Sequence, residues 1–178
     1  MKTCLVVLAA ACLARGASPP GVWLDVPFAA QQKKGCGAAS IAMVMQYWES
    51  QRSAPHARAA EETAIEAALD PHAKGISNGA MVSYLSANGY QAFAFAAGWN
   101  ELREHLSKGR PLIVALGATG TKGPLHYVVM TGMDWVHDFV FVNDPAQRKL
   151  VRVARSEFES EWKATGNWTL LAVPKQAG

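Results

Sequence analysis

Four side chains carry the chemistry open to this sequence: Cys36, His126, Asp144 and Gln31. Cys36 sits in Gln31-Gln-Lys-Lys-Gly-Cys36-Gly-Ala-Ala-Ser40, between two glycines and at the start of an apolar helical pattern. A thiol attacks a carbonyl carbon usefully only as thiolate, so it needs a base close by and a positive local field. The N-terminus of a helix supplies part of that field through its free N–H groups and dipole. Gly35 and Gly37 are expected to leave the approach to the sulfur open and to let the backbone turn sharply. The Cys36 N–H would then point where an oxyanion forms. Cys4 and Cys12 lie in an apolar leader, so Cys36 is the cysteine expected to survive maturation. A lone cysteine in an exported protein closes no intramolecular disulfide and is a candidate reactive thiol. A small buried cysteine, by contrast, needs none of these neighbours.

The base should be one of five histidines. His56, His72 and His105 lie in polar helical or loop segments, and His137 lies in a turn after Trp135-Val136, so all four read as solvated surface. His126 differs, because it opens the apolar run Leu125-His126-Tyr-Val-Val-Met130 directly after Gly123-Pro124. A polar side chain at the head of a buried strand requires a partner. Asp144, closing Phe139-Val-Phe-Val-Asn-Asp144 before Pro145, could hold its imidazole in one tautomer. Asn143 competes for that role, but adjacent strand residues point to opposite faces and only one of the two can serve. Gln31 could donate its side-chain amide to the developing oxyanion, with Gln32 as the competitor one position on.

The elements that must position these groups fall into two halves. Val22 to Phe28 suits an extended lead-in strand ending at Pro27. Helices follow over Cys36 to Trp48, Ala57 to Leu69, Ser77 to Asn88 and Trp99 to Lys108, the last two closed by Gly89 and Gly109. The second half turns to short β-branched and aromatic runs at Leu112–Leu116, His126–Thr131, Phe139–Asn143, Leu150–Val153 and Trp168–Val173. One late helix, Ser156 to Ala164, interrupts them. Helices first and an antiparallel sheet afterwards is an α+β arrangement, with the cysteine helix packed on the sheet.

At 178 residues, 50% apolar and 17% charged, the chain suits one globular domain with a real core. Met1-Lys2-Thr3-Cys4, the apolar run Leu5 to Leu13 and Ala14-Arg-Gly-Ala17-Ser18-Pro19-Pro20 read as a secretory signal over residues 1–17, leaving a domain over 18–178. Leu8-Ala-Ala-Ala-Cys12 also faintly resembles a lipoprotein signal, which would make Cys12 a lipid anchor, although the apolar run before it is short for one. No later segment is long enough to be a transmembrane span. Without the leader, 15 basic side chains face 14 acidic ones, and no basic patch points to nucleic acid. There is no CxxC, HExxH or Gly-rich phosphate loop, so no metal or organic cofactor is expected.

In combination, Gln31 and Cys36 at a helix start, His126 on one strand and Asp144 on the next resemble the papain-like cysteine peptidases, and within them the C39 family. The matching stretches are Val26-Pro27-Phe28, Gly35-Cys36-Gly37-Ala38-Ala39-Ser40 with Ala42-Met43-Val44, and Lys74-Gly75-Ile76-Ser77. Further on come Gly109-Arg110-Pro111-Leu112-Ile113-Val114, His126-Tyr127-Val128-Val129 with Thr131-Gly132, and Val142-Asn143-Asp144-Pro145. The resemblance implies a papain-like fold, Cys36 as nucleophile, His126 as general base and acid, Asp144 as orienting carboxylate and Gln31 as oxyanion donor. The best-known family members are domains of ABC exporters that cut double-glycine leader peptides. This chain has no transmembrane segment or nucleotide-binding motif, and Gly35 stands where exporter domains usually carry an acidic residue. It is more similar to the stand-alone C39-like domains. The expected activity is hydrolysis of a peptide or protein substrate by an exported, secreted or periplasmic bacterial enzyme. Two alternatives stand beside it: an amidase or acyltransferase acting on cell-wall peptides with the same triad, and a peptide-binding module that keeps the fold but does not cut.

Overall fold

The computed structural model describes residues 20–32, 34–51, 61–70, 75–117 and 125–175. The leader with Cys4 and Cys12, the start of the second expected helix, His56, His72 and Lys74 lie outside the described residues. In chain order the elements are β1 (Gly21–Trp23), α1 (Cys36–Ser50), α2 (Glu62–Leu69), α3 (Asn78–Ala87), β2 (Tyr90–Ala96) and α4 (Trp99–Ser107). Then follow β3 (Leu112–Leu116), β4 (His126–Asp134), β5 (Phe139–Asp144), β6 (Arg148–Ala154), α5 (Arg155–Lys163) and β7 (Trp168–Pro174). The strands form one antiparallel sheet in the order β2-β7-β3-β4-β5-β6, with β1 paired to β4.

The central strands alternate apolar residues toward two cores. Ile113, Ala115, Tyr127 and Val129 share a buried cluster with Ile41 and Met43 of α1, Ile65 of α2, and Met81 and Leu85 of α3. Leu112, Val114, Val128 and Met130 join Leu102 and Leu106 of α4 and Phe158 and Trp162 of α5 in a second cluster. Successive strand residues point to opposite faces, so a strand apolar at every position must be covered on both sides. The expected α+β class and the packing of α1 on the sheet hold. However, α4 shares its core with α5 on the second face rather than with α1 to α3.

Helix α1 is apolar nearly all round, as a helix enclosed by other elements must be. Residues Ala38 to Val44 are no more than 1% exposed. Its buried Ser40 donates its Oγ hydrogen to the Tyr127 carbonyl of β4 at 3.3 Å. At its far end, Trp48 Nε1 donates to the Ala172 carbonyl of β7 (2.8 Å) and Tyr47 Oη to the Gly109 carbonyl (2.9 Å). Ser77 caps α3 by accepting from the Ala80 N–H, and Gly89 and Gly109 adopt the left-handed φ values of 88° and 70° that stop α3 and α4.

Strand β2 was not expected from Tyr90-Gln-Ala-Phe-Ala-Phe-Ala, which lacks β-branched residues and alternates small with aromatic ones. It lies at the sheet edge, where pairing with β7 along seven register positions stabilises it. The lead-in segment pairs as a strand only over Gly21–Trp23. β4 runs three residues past Thr131, where β1 pairs with it, and Gly132 allows the close approach: a Cβ there would lie 2.6 Å from the Val22 carbonyl oxygen. The shortening of Ile41, wholly buried between α1 and the sheet, should cost about 2–5 kcal/mol as Ile41→Ala. Urea denaturation would read this as a lower midpoint with an unchanged slope; a loss under about 1 kcal/mol would mean that α1 is not the core's centre.

Candidate active site

Cys36 is the first residue of α1, where a backbone N–H has no acceptor within the helix. Ser40 lies one turn further along the same helix face, and its bond to the Tyr127 carbonyl holds that face against the head of β4. His126 is the first residue of β4, and so meets Cys36 across this contact. The thiol and the imidazole are hydrogen-bonded. His126 Nε2 lies 2.8 Å from Asp144 Oδ1, which leaves Nδ1 as the ring nitrogen for the sulfur.

Asp144 ends β5, the antiparallel neighbour of β4. With Asn143 opposite Val129, it lies toward the His126 end of the ladder. Its carboxylate is only 8% exposed and is further fixed by the Ala146 N–H on Oδ1 (2.9 Å) and Gln147 Nε2 on Oδ2 (2.6 Å). Asn143 faces elsewhere and has different work. Its Nδ2 donates to the Val26 and Pro27 carbonyls, and its Oδ1 accepts from the Leu150 N–H. Between the two competitors for the histidine, the structure brings Asp144 to His126.

Gln31 and Cys36 line one cleft of about 820 Å³ together with Lys34, Ile76, Leu125 and His126. The Gln31 N–H donates to the Pro145 carbonyl at 3.0 Å, so the turn that follows Asp144 also anchors the segment bearing this glutamine. Gln32 is exposed and stands outside the cleft lining. Gly35 has φ −80° and donates its N–H to the Gln32 carbonyl at 2.8 Å, closing a turn just before Cys36. Space also requires the glycine: a Cβ would lie 2.6 Å from Glu62 Oε1 and 2.9 Å from the Gln32 carbonyl oxygen. At Gly37 a Cβ would crowd Ile76 at 3.3 Å.

The electrostatics of the cluster are those of an ion pair. Burial opposes ionisation of the Cys36 thiol. The hydrogen bond and charge of His126, with backbone hydrogen bonds from Tyr127 and Gly37, outweigh burial and lower its pKa. Burial likewise opposes the imidazolium, but hydrogen bonds to Asp144 and Cys36 raise His126 to about 9. Burial of Asp144 is overcome by the His126 contact, and its pKa is lowered. Burial, and then the Cys36 charge, push Tyr127 up to about 12, so its phenol stays protonated and donates to Asn78 Oδ1. All three shifts favour the charged row of thiolate, imidazolium and carboxylate.

Residues that sequence reasoning passed over include Tyr127 and Asn78 in the cleft wall, Gln147 on the carboxylate and Glu62 behind Gly35. Gln147 carries a readable signal, three residues after an Asp-Pro turn, and Ser40 another, four after the cysteine. His105 is half-buried against Phe95 (ring centroids 6.0 Å apart) rather than solvated, while His137 is exposed and bonded to Asp134. Among the described residues, no three His, Cys, Asp or Glu side chains are grouped to hold a metal ion, and no helix is long and apolar enough to cross a membrane.

Comparison with solved structures places this geometry among known folds. A protein from Bacillus anthracis described as a C39-like peptidase superposes with a TM-score of 0.64 at 20% identity, over 88% of this chain and 99% of that one. A double glycine motif protease from an AMS/PCAT transporter, in complex with its leader peptide, gives 0.64 at 22% identity over 86% and 95%. Xylellain, a cysteine protease from Xylella fastidiosa, gives 0.54 at 14% identity over 90% and 88%. At these identities the likeness is one of fold, and the fold is papain-like. A search of curated protein sequences gives no match. The model of the Peptidase_C39 like family matches residues 23–170. With most of its length matched, the chain belongs to the Peptidase_C39 like family and is a cysteine-type peptidase by family.

Proposed function

We propose that this protein hydrolyses peptide bonds with Cys36 as nucleophile, His126 as general acid and base, Asp144 as the carboxylate that orients it, and Gln31 as oxyanion donor. The observation that carries the reading is the unbroken row Cys36–His126–Asp144 at the wall of an 820 Å³ cleft that Gln31 also lines. A cleft of this size accommodates several residues of an extended peptide. The transporter protease of the same fold is itself seen with a leader peptide, which supports a peptide substrate here.

In the first step the Cys36 thiolate forms a C–S bond with the scissile carbonyl carbon, and the carbonyl π electrons move to oxygen. The Cys36 N–H and the Gln31 side-chain amide stabilise that oxyanion. The His126 imidazolium gives its proton to the amide nitrogen as the C–N bond breaks, leaving a thioester and a neutral imidazole. Water then attacks the thioester while His126 takes its proton, and collapse of the second oxyanion releases the acid and the thiolate. Asp144 keeps the Nε2 proton directed to itself throughout, so Nδ1 always faces the sulfur and the substrate. Residues 1–17 are proposed to export this enzyme, with the peptidase domain following over 18–178.

The pH dependence follows from the pair. The thiolate–imidazolium form disappears on the acid side as Cys36 protonates through its lowered pKa, and on the alkaline side as His126 deprotonates around pH 9. Iodoacetamide labelling of Cys36 should therefore remain fast well below about pH 8. His126→Ala leaves burial unopposed by the imidazolium, and should label appreciably only above about pH 8. Superimposable profiles for the two proteins would remove His126 from the site.

Cys36→Ala should abolish peptide hydrolysis without changing the far-UV circular dichroism. Asp144→Asn should lower turnover less than His126→Ala does, since the base survives while its orientation is lost; equal and negligible losses would exclude Asp144. Gln31→Ala should slow acylation of Cys36 by p-nitrophenyl acetate about 10²-fold, because that reaction develops an oxyanion. Alkylation by iodoacetamide develops none and should stay unchanged. If Gln32→Ala has this effect instead, the donor is misassigned.

A further inference from the structure

Between the proposed oxyanion donor and the proposed nucleophile, the chain is gripped by a helix that supplies no cleft residue. Glu62 is the first residue of α2, a position where a long acidic side chain would ordinarily extend into water. Here it is buried, only 8% exposed. Its Oε1 accepts the Gln32 backbone N–H at 3.1 Å. The Gln32 carbonyl in turn accepts the Gly35 N–H at 2.8 Å, which holds these two residues close together. Gly35 makes room for this arrangement. A Cβ at that position would lie 2.6 Å from the same Glu62 oxygen and 3.3 Å from Glu66 Cδ.

Burial, and the Glu66 carboxyl one helical turn beyond, raise the pKa of Glu62, while the Gln32 N–H on its oxygen opposes that rise. The other end of the Gln31–Gly35 stretch is tied by the Gln31 N–H to the Pro145 carbonyl. The stretch is thus fixed at two points, one on the Asp144 turn and one on α2. Glu62 does not line the cleft and is not among the groups that shift the Cys36 thiol, so its route to the chemistry is the backbone it holds.

We infer that Glu62 is a positioning residue that locks the Gln31–Gly35 turn so that the Gln31 amide and the Cys36 N–H converge on one oxyanion. This rests on the oxyanion role proposed for Gln31. A carboxylate that merely filled space would not need to accept a backbone N–H beside a glycine of ordinary φ. Losing it leaves the Gln32 N–H without its acceptor and releases the turn, and displacement of a positioned group by about 1 Å is enough to cost one to two orders of magnitude in rate.

The test compares two reactions of Cys36 in the full-length mature protein. Acylation by p-nitrophenyl acetate requires oxyanion stabilisation; alkylation by iodoacetamide requires only the thiolate. Glu62→Ala should slow acylation about tenfold while alkylation stays within about twofold. Glu62→Gln, whose amide oxygen still accepts the Gln32 N–H, should recover most of the loss. Gly35→Ala, which displaces the Glu62 oxygen without altering α2, should repeat the Glu62→Ala effect. In a Gln31→Ala background Glu62→Ala should add less than about twofold, because both changes disable one donor. Acylation and alkylation falling together, or a full tenfold loss in the Gln31→Ala background, would overturn the role of Glu62 while leaving that of Gln31 intact. Gln31→Ala acylating at the wild-type rate would overturn the reading of Gln31, and the inference with it.

Discussion

Everything in the site turns on the 2.8 Å hydrogen bond between His126 Nε2 and Asp144 Oδ1. An imidazole has two nitrogens, and unless one is occupied the ring can rotate and either can face the thiol. Occupying Nε2 with a buried carboxylate removes that freedom and also stabilises the cation. The bond forms because β4 and β5 are adjacent and antiparallel, with the start of one beside the end of the other. Register therefore decides which side chain meets His126. A slip of one residue would carry Asp144 to the opposite face and bring Asn143 into its place.

The sheet can hold that register because it is enclosed. With α1 to α3 on one side and α4 and α5 on the other, β3 and β4 are apolar on both faces, and a slip has no polar alternative to settle into. The thiol reaches the histidine through a separate constraint, the Ser40 hydroxyl on the Tyr127 carbonyl, one turn below Cys36 and one residue past His126. Burial makes such a cluster costly, since both Cys36 and His126 lose hydration. Asp144 and the Cys36 charge together support the imidazolium, and the imidazolium with backbone N–H groups supports the thiolate.

What was legible in the sequence is what is written locally. Cys36 between glycines at the start of an apolar helix, His126 at the head of an apolar strand and Asp144 before proline each announce themselves within ten residues. The α+β order and most element boundaries follow from periodicity in the same way. Contacts made across the fold left no such mark. Strand β2 owes its existence to β7, almost eighty residues downstream in the chain, and its own Ala-rich pattern says little. Helix α4 looks like its predecessors, and only the parity of Leu112 and Val114 assigns it to the second face. Gly35 was legible as a glycine at a sharp turn, but the neighbour that crowds it was not. Its neighbour Glu62 lies on another helix, and the clash that forbids a side chain is a tertiary fact.

The pair Asn143-Asp144 shows why side-chain chemistry can settle a choice that spacing leaves open. Position 143 faces two carbonyl oxygens, of Val26 and Pro27, and one N–H, of Leu150. Only a group that donates and accepts can satisfy all three, which is what an amide does. Position 144 faces donors: a ring nitrogen of His126, the Ala146 N–H and the Gln147 amide. An ionised carboxylate accepts all of them and needs to donate nothing. Exchanging the two residues would set a buried carboxylate against two carbonyl oxygens and give the imidazolium a neutral partner. The lead-in segment would lose its tie to β5 at the same stroke as His126 lost its counter-charge. Because the next residue, Pro145, offers its carbonyl to the Gln31 N–H, that loss would spread to the proposed oxyanion donor as well. Three consecutive residues at the end of β5 thus connect His126, the lead-in segment and the Gln31 segment, and their order is dictated by which neighbours donate and which accept.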